Sequence, residues 1–422
     1  MGPLSGWPLS SSNRAVCLKA AAPHFQVTMR KSSSRIALAG AVLSLLAAFV
    51  SSAATAPIAP THDDEVIEVL PPLAGSRAEA RRQRKLLASQ PRDPVLALGV
   101  ARRYLDQAHE LGDPRFAGMA MSAIAGWQDE ATMPDGVLMM RATLQQYLHE
   151  FDASVRSLQD LLARPSPQPR PQAWLTLATV KRVQGRYADS DLACKQVAAS
   201  GAGLHADACF AENAALRGDF DGARATFTRL LAGARQPPST QAWLMTSLAE
   251  LEQRAGRAAA ADTAFRAALK LEPDPYATLS YGDFLIEQKR PVEALALLKN
   301  QTRSDAVLLR LAIAGAQAKT PSASTDAAEM RDRIALANER PEAKLFHGRE
   351  QAMFALMVEH QPMLALELAR GNVAQQREPL DLLVLAQTAQ ASARADALQD
   401  VGRLMSELGL HDKRTQAVLG KG

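Results

Sequence analysis

Two histidine-glutamate pairs, His109-Glu110 and His149-Glu150, are the first candidates for chemistry. A zinc-binding helix needs a second histidine four residues on, and neither pair has one. His62 beside Asp63, Asp64 and Glu65 offers hard oxygen ligands, but in a stretch that reads equally as a solvated linker. The other histidines beyond residue 56, at 205, 347, 360 and 411, are scattered along the chain. No CxxC, nucleophile elbow, dinucleotide glycine fingerprint or phosphate-cradling Gly-Lys-Ser is present. These absences point away from an enzyme and call for no metal and no cofactor.

Cys194 and Cys209 are the remaining reactive pair. Their midpoint falls between Gly201 and Ala202, where a turn between consecutive helices is expected. Residues equidistant from such a turn lie opposite one another, within the Cα separation of about 4.4 to 6.8 Å that a disulfide needs. A bridge between them is expected as a structural staple; the other reading is two small core residues.

The elements that place these residues are written as a repeat between Gln172 and Pro273. Trp174, Leu177 and Ala178 precede a turn at Gly185, followed by Tyr187, Ser190, Cys194 and Val197. Phe210, Ala211, Gly218, Phe220, Ala223, Phe227 and Leu230 keep the same offsets, as do Met245, Leu248, Ala249, Gly256, Ala258, Ala261, Phe265, Ala268 and Pro273. The turn glycines are 33 and 38 residues apart. Apolar residues three and four apart form one helix face, and glycine lets the chain leave the helix through a positive-φ position. A second apolar face follows at once, so the two helices pack antiparallel. The small pairs Ala178 with Ser190, Ala211 with Ala223 and Ala249 with Ala261 mark the closest approach of the backbones. Such a hairpin completes its core only by stacking on its neighbours.

This order of large, small, turn and aromatic residues resembles the tetratricopeptide repeat, most closely in the copy ending Ala261, Phe265, Ala268, Pro273. The resemblance implies an all-α, right-handed solenoid whose first helices line a concave, peptide-binding face. By register that face takes in Gln172, Thr179, Arg182, His205, Glu212, Trp243, Thr246, Glu250, Gln253, Tyr276 and Asp283. Aromatic anchors beside carboxylates suit a peptide groove, since ring burial supplies energy and charge sets selectivity. Trp243 also has a plain reading, as cover for the Pro237-Pro238 loop. The lysines and asparagines with which some relatives clamp a free C-terminal carboxylate are replaced by acids, so that ligand is not expected.

Fainter copies extend the array. Turn positions at 112, 149, 185, 218, 256, 289, near 322, 360 and 393 give about nine hairpins over residues 94–410. The clearest cover 171–302; the degenerate pair 305–340 is where a bend or break is expected. Residues 77–93 read as a capping helix carrying Arg81, Arg82, Arg84 and Lys85, and 411–422 as a frayed tail.

Residues 1–56 contain no acid. From Met29 a basic segment, Arg30, Lys31 and Arg35, leads into an apolar run from Ile36 to Val50 and then small residues, the layout of a secretory signal. The expected signal is 29–54 or 29–56; Pro57 makes the second cut the poorer substrate. An uncleaved anchor is the alternative, and residues 1–28 read as an over-extended start ahead of Met29. Residues 57–76 form a Pro-rich linker. Five of the 48 basic residues lie in the first 56, leaving 43 against 44 acids. The rest is therefore near neutral, without the charge expected of a nucleic-acid binder. The expectation is an exported, periplasmic, non-enzymatic scaffold whose partner is a protein or peptide, with envelope membrane proteins among the candidates. The alternatives are a self-associating structural component and, further off, an enzyme or metal-binding protein.

Overall fold

Nine turns repeat one backbone conformation, and they set the architecture. In the computed structural model, which describes residues 75–127, 129–233, 236–339 and 348–420, φ is positive at Gly112, His149, Gly185, Gly218, Gly256, Lys289, Lys319, His360 and Ala393. Eight of these are the turn positions read from the sequence; the ninth lies at Lys319 rather than near 322. Each closes an antiparallel hairpin: α2 (Pro94–Leu111) with α3 (Pro114–Ala123), α4 (Asp135–Tyr147) with α5 (Phe151–Ala163), and α6 (Pro171–Val183) with α7 (Tyr187–Ala199). Then come α8 (Gly203–Leu216) with α9 (Phe220–Ala232), α10 (Pro238–Arg254) with α11 (Ala258–Leu271), and α12 (Pro275–Glu287) with α13 (Pro291–Leu298). The last three pairs are α14 (Asp305–Ala318) with α15 (Ala323–Asn338), α16 (Gly348–Met357) with α17 (Pro362–Val373), and α18 (Pro379–Ala391) with α19 (Ala395–Leu408). A helix α1 (Gly75–Ser89) precedes them and a short α20 (Lys413–Leu419) follows. Among the described residues there is no strand, and the fold is an all-α solenoid. The signal segment, His62, His347 and most of the Pro-rich linker lie outside the described residues.

Prolines start α2, α3, α6, α10, α12, α13, α17 and α18, where a missing N–H costs nothing and φ is already helical. The small crossing pairs are buried as their size requires: Ala178, Ser190, Ala249 and Ala261 are wholly inaccessible. The same crossing in the second hairpin is tied by the Ser154 hydroxyl, which donates to the Ala142 carbonyl at 2.8 Å.

Residues 80–422 contain one described unit; of the segment Arg14–Glu79 only the first turn of α1 is described. The degenerate pair is no break in it. Every residue of α14 from Val307 to Gly315 is buried, and one apolar cluster runs from Phe265 and Phe284 through Leu308, Ile313 and Met330 to Leu385 and Val401. A helix buried all round needs no amphipathic stripe, which is why the repeat signature fades there.

The expected frayed tail is also corrected. The backbone N–H of His411 donates to the Leu216 carbonyl at 2.7 Å, and Asp412 and Thr415 are fully buried. Asp412 caps α20 through the Arg414 N–H, and Leu410 belongs to the same core cluster as Tyr187 and Leu216. The chain end is held because it supplies donors and apolar surface to hairpins nearly two hundred residues away.

Two expectations follow. A Cβ on Gly185, at φ 76°, would sit 2.7 Å from Leu408 Cδ2, whereas Ala393 at φ 53° is exposed. Gly185→Ala should therefore cost roughly 2 kcal/mol or more, and Ala393→Gly should stabilise by up to about 1 kcal/mol, both read from denaturant midpoints. The second concerns His109, packed edge-on against Tyr147 with ring centroids 4.9 Å apart. Burial pushes its imidazole from the ordinary 6.5 down to about 4. Between these values the unfolded chain binds the extra proton, so this stability is fully present above pH 6.5 and lost as pH falls toward 4. His109→Phe should remove up to roughly 3 kcal/mol of that acid sensitivity from the difference between the two unfolding curves.

Candidate functional site

Side chains at one register of successive first helices stand beside one another, because each hairpin is a near copy of the last. Arg182 on α6 pairs with Glu212 on α8 at 2.6 Å, and Glu212 accepts from the Ser247 hydroxyl of α10 at 2.9 Å. One helix further, Glu250 accepts from the Tyr276 hydroxyl at 2.7 Å and from Ser280 at 3.1 Å. Gln253 donates to Glu287 at 2.9 Å, and Asp283 pairs with Arg310 on α14 at 2.5 Å. Six of the register-based residues, Arg182, Glu212, Glu250, Gln253, Tyr276 and Asp283, thus stand in a ladder of polar links across α6, α8, α10, α12 and α14.

The acids of this surface are not free to select a partner by charge. Glu212 and Asp283 are opposed by Arg182 and Arg310, and Glu287 by Arg414 at 3.1 Å. Burial raises the Glu250 carboxyl above its ordinary range, with the charge of Arg254 acting against it. Burial together with Glu250 raises the Tyr276 phenol well above the usual value. The Tyr276 hydroxyl donates and the Glu250 carboxyl oxygen accepts, so the pair is preorganised.

Two assignments by register are corrected. Thr246 is 5% exposed and bonds back to the Ala242 carbonyl, while Gln253 is 9% exposed and committed to Glu287. Both face neighbouring helices. Thr179 bonds to the Leu175 carbonyl and Gln172 to Thr176, contacts within α6 itself. His205 and Trp243 stack with ring centroids 5.7 Å apart and planes 20° off parallel. Trp243 also packs on the cluster of Phe227, Leu244 and Leu251, so part of its ring is core. Tyr276 is the aromatic most open in this set, at 38%.

Ser247, Ser280 and Glu287 were missed, although Glu287 lies 34 residues after Gln253, one repeat on. Arg414 carries no such signal, since its contact with Glu287 spans 127 residues. Cys194 and Cys209 are joined, with their Cα atoms 5.9 Å apart, behind this surface on α7 and α8. Among the described residues no three His, Cys, Asp or Glu side chains gather where they could share a metal ion, and no helix is long and apolar enough to cross a membrane.

With this geometry in place, the comparisons with known proteins fall on the same hairpins. Residues 246–306, from the second half of α10 to the start of α14, match the tetratricopeptide repeat family. Over those residues the chain is similar to tetratricopeptide repeats. Those residues include the part of the ladder from Ser247 to Asp283. A solved structure of yeast Tom70 is similar over 79% of this chain and 82% of its own, at 11% identity and a TM-score of 0.37, a level at which no role passes from one protein to the other. No curated protein matches the sequence.

Arg414 is 13% exposed and lies between Glu287 and the fully buried Asp412. Arg414→Ala should lower stability by roughly 3 kcal/mol, because it leaves two carboxylates without their cation. Adding Glu287→Gln to that variant should cost little more; fully additive losses in a double-mutant cycle would mean the two residues do not act as a unit.

Proposed function

We propose that this chain is a non-enzymatic scaffold of the cell envelope that holds an extended or helical segment of a partner protein against the inner surface of its central tetratricopeptide hairpins. The observation that carries the reading is Tyr276: the residue is 38% exposed on the first helix of its hairpin while its hydroxyl is fixed to Glu250. An aromatic held in one orientation before binding loses little rotamer freedom on contact, which is what a recognition anchor requires. The paired charges around it leave hydrogen bonding and ring burial, rather than net charge, as the means of selection. No covalent step is involved.

Export and a periplasmic site are part of the same proposal. They draw support from the signal layout at residues 29–56 and from the Cys194–Cys209 bridge, which suits an oxidising compartment.

The test is capture of partners from an envelope fraction by the full chain, beside Tyr276→Ala and Tyr276→Phe variants with unchanged circular dichroism. A partner held by the parent, bound at least tenfold more weakly by the alanine variant and partly recovered with phenylalanine fits an anchor on this surface. Equal retention by all three would place binding elsewhere on the solenoid.

A further inference from the structure

The described arginines from Arg164 to Arg414, apart from Arg254 and Arg377, all stand in ion pairs. The N-terminal end breaks that habit. Between Glu79, one helical turn from Arg82, and Asp106, whose charge acts on Arg102, there are seven cations, Arg81, Arg82, Arg84, Lys85, Arg92, Arg102 and Arg103, and one further acid, Asp93. Asp93 is spent on capping α2, where it accepts from the Val95 and Leu96 N–H groups. Residues 106–422 hold the other balance, 35 basic against 38 acidic.

The local geometry turns these cations outward. Gln83 and Leu87 face the protein: Gln83 accepts from Arg103 at 2.7 Å, and Leu87 packs on the N-terminal apolar cluster. Arg81, Arg82, Arg84 and Lys85 cover the rest of the α1 surface, all exposed. Arg84 reaches only the Tyr104 hydroxyl and Arg92 only the Gly126 carbonyl, both neutral acceptors. No carboxylate lies within ion-pair distance of Arg81, Arg84, Lys85, Arg92, Arg102 or Arg103 among the described residues. Two apolar side chains stand among them, Leu86 at 43% and Val95 at 77% exposure.

We propose that this N-terminal face, α1 with the first turn of α2, is a docking surface for an anionic phospholipid bilayer. A planar surface of phosphates supplies the anions that the chain withholds here, and each cation brought to such a surface contributes about a fivefold gain in affinity. The exposed Leu86 and Val95 favour a bilayer over a nucleic acid, since apolar side chains rimmed by cations enter a headgroup layer and find nothing to enter on a sugar-phosphate backbone. The contact is electrostatic and reversible, because two apolar side chains do not anchor a protein. It does not depend on the proposed partner groove, which lies on other hairpins.

The experiment is co-sedimentation of the full chain with phosphatidylcholine vesicles, with and without phosphatidylglycerol. Binding should require the anionic lipid and fall steeply from low to high salt. An Arg81→Gln, Arg84→Gln, Lys85→Gln variant should bind roughly a hundredfold more weakly. A control that removes as many exposed lysines elsewhere, Lys195→Gln, Lys270→Gln, Lys299→Gln, should bind as the parent does. All three proteins share the apolar run at 36–50, so its influence cancels. Equal binding by parent and α1 variant overturns the proposal, as does equal loss in the control. So does binding to duplex DNA or polyglutamate that persists at salt concentrations where the vesicles are released.

Discussion

The described solenoid depends on how its last residues meet the turns of its middle hairpins. The carbonyls of Val183 and Leu216, at the ends of α6 and α8, have no partner within their own helices, as at any helix C-terminus. They are met from far along the chain, by the N–H groups of Arg377 and His411 at 2.8 and 2.7 Å. The segment from Leu408 to Arg414 then passes Gly185, Gly218, Gly256 and Glu287 in order, one hairpin after another. The turns repeated by the array are the track along which the chain end lies, hydrogen-bonded to one orphan acceptor, that of Leu216.

This track also explains a choice among residues that share one backbone conformation. Gly112, Gly185 and Gly218 are the turns against which Ser304, Leu408 and His411 press, and a Cβ at any of them would stand 3.0 Å or less from its neighbour. Lys289, Lys319, His360 and Ala393 adopt the same positive φ with their side chains exposed. At Gly112, Gly185 and Gly218 glycine is held where another segment crosses close by, and at the four exposed turns the strain of a side chain in the left-handed region is tolerated; Gly201 and Gly409 share the conformation with nothing within 4 Å of a Cβ.

Most of the array was legible because the hairpin signature is local. Helix period, small crossing residues and turn positions each depend on residues a few positions apart, and even the non-glycine turns at His149, His360 and Ala393 kept their offsets. What escaped was non-local. Arg414 and His411 have no local pattern that announces a partner on α12 or α8, and a tail of mixed composition reads as loose until its acceptors are known. The polar ladder was half legible for the same reason: register placed Arg182, Glu212, Glu250 and Asp283 on neighbouring helices, but not Arg310 of α14 that opposes Asp283, nor Glu287 with its partner Arg414 from α20. Thr246 and Gln253 failed because a register fixes direction only to within a helical turn's neighbours, and theirs are other helices.

An open solenoid behaves as a chain of coupled springs, each repeat bound only to the next, able to stretch under load and to melt from either end. The contacts of Arg377, His411 and Arg414 join repeats that are far apart in that sequence of springs. They convert a one-dimensional lattice into a closed circuit, in which extension must first break the joints between distant hairpins. Up to that force such a body is stiff, and beyond it the middle hairpins and the chain end let go together rather than one repeat at a time.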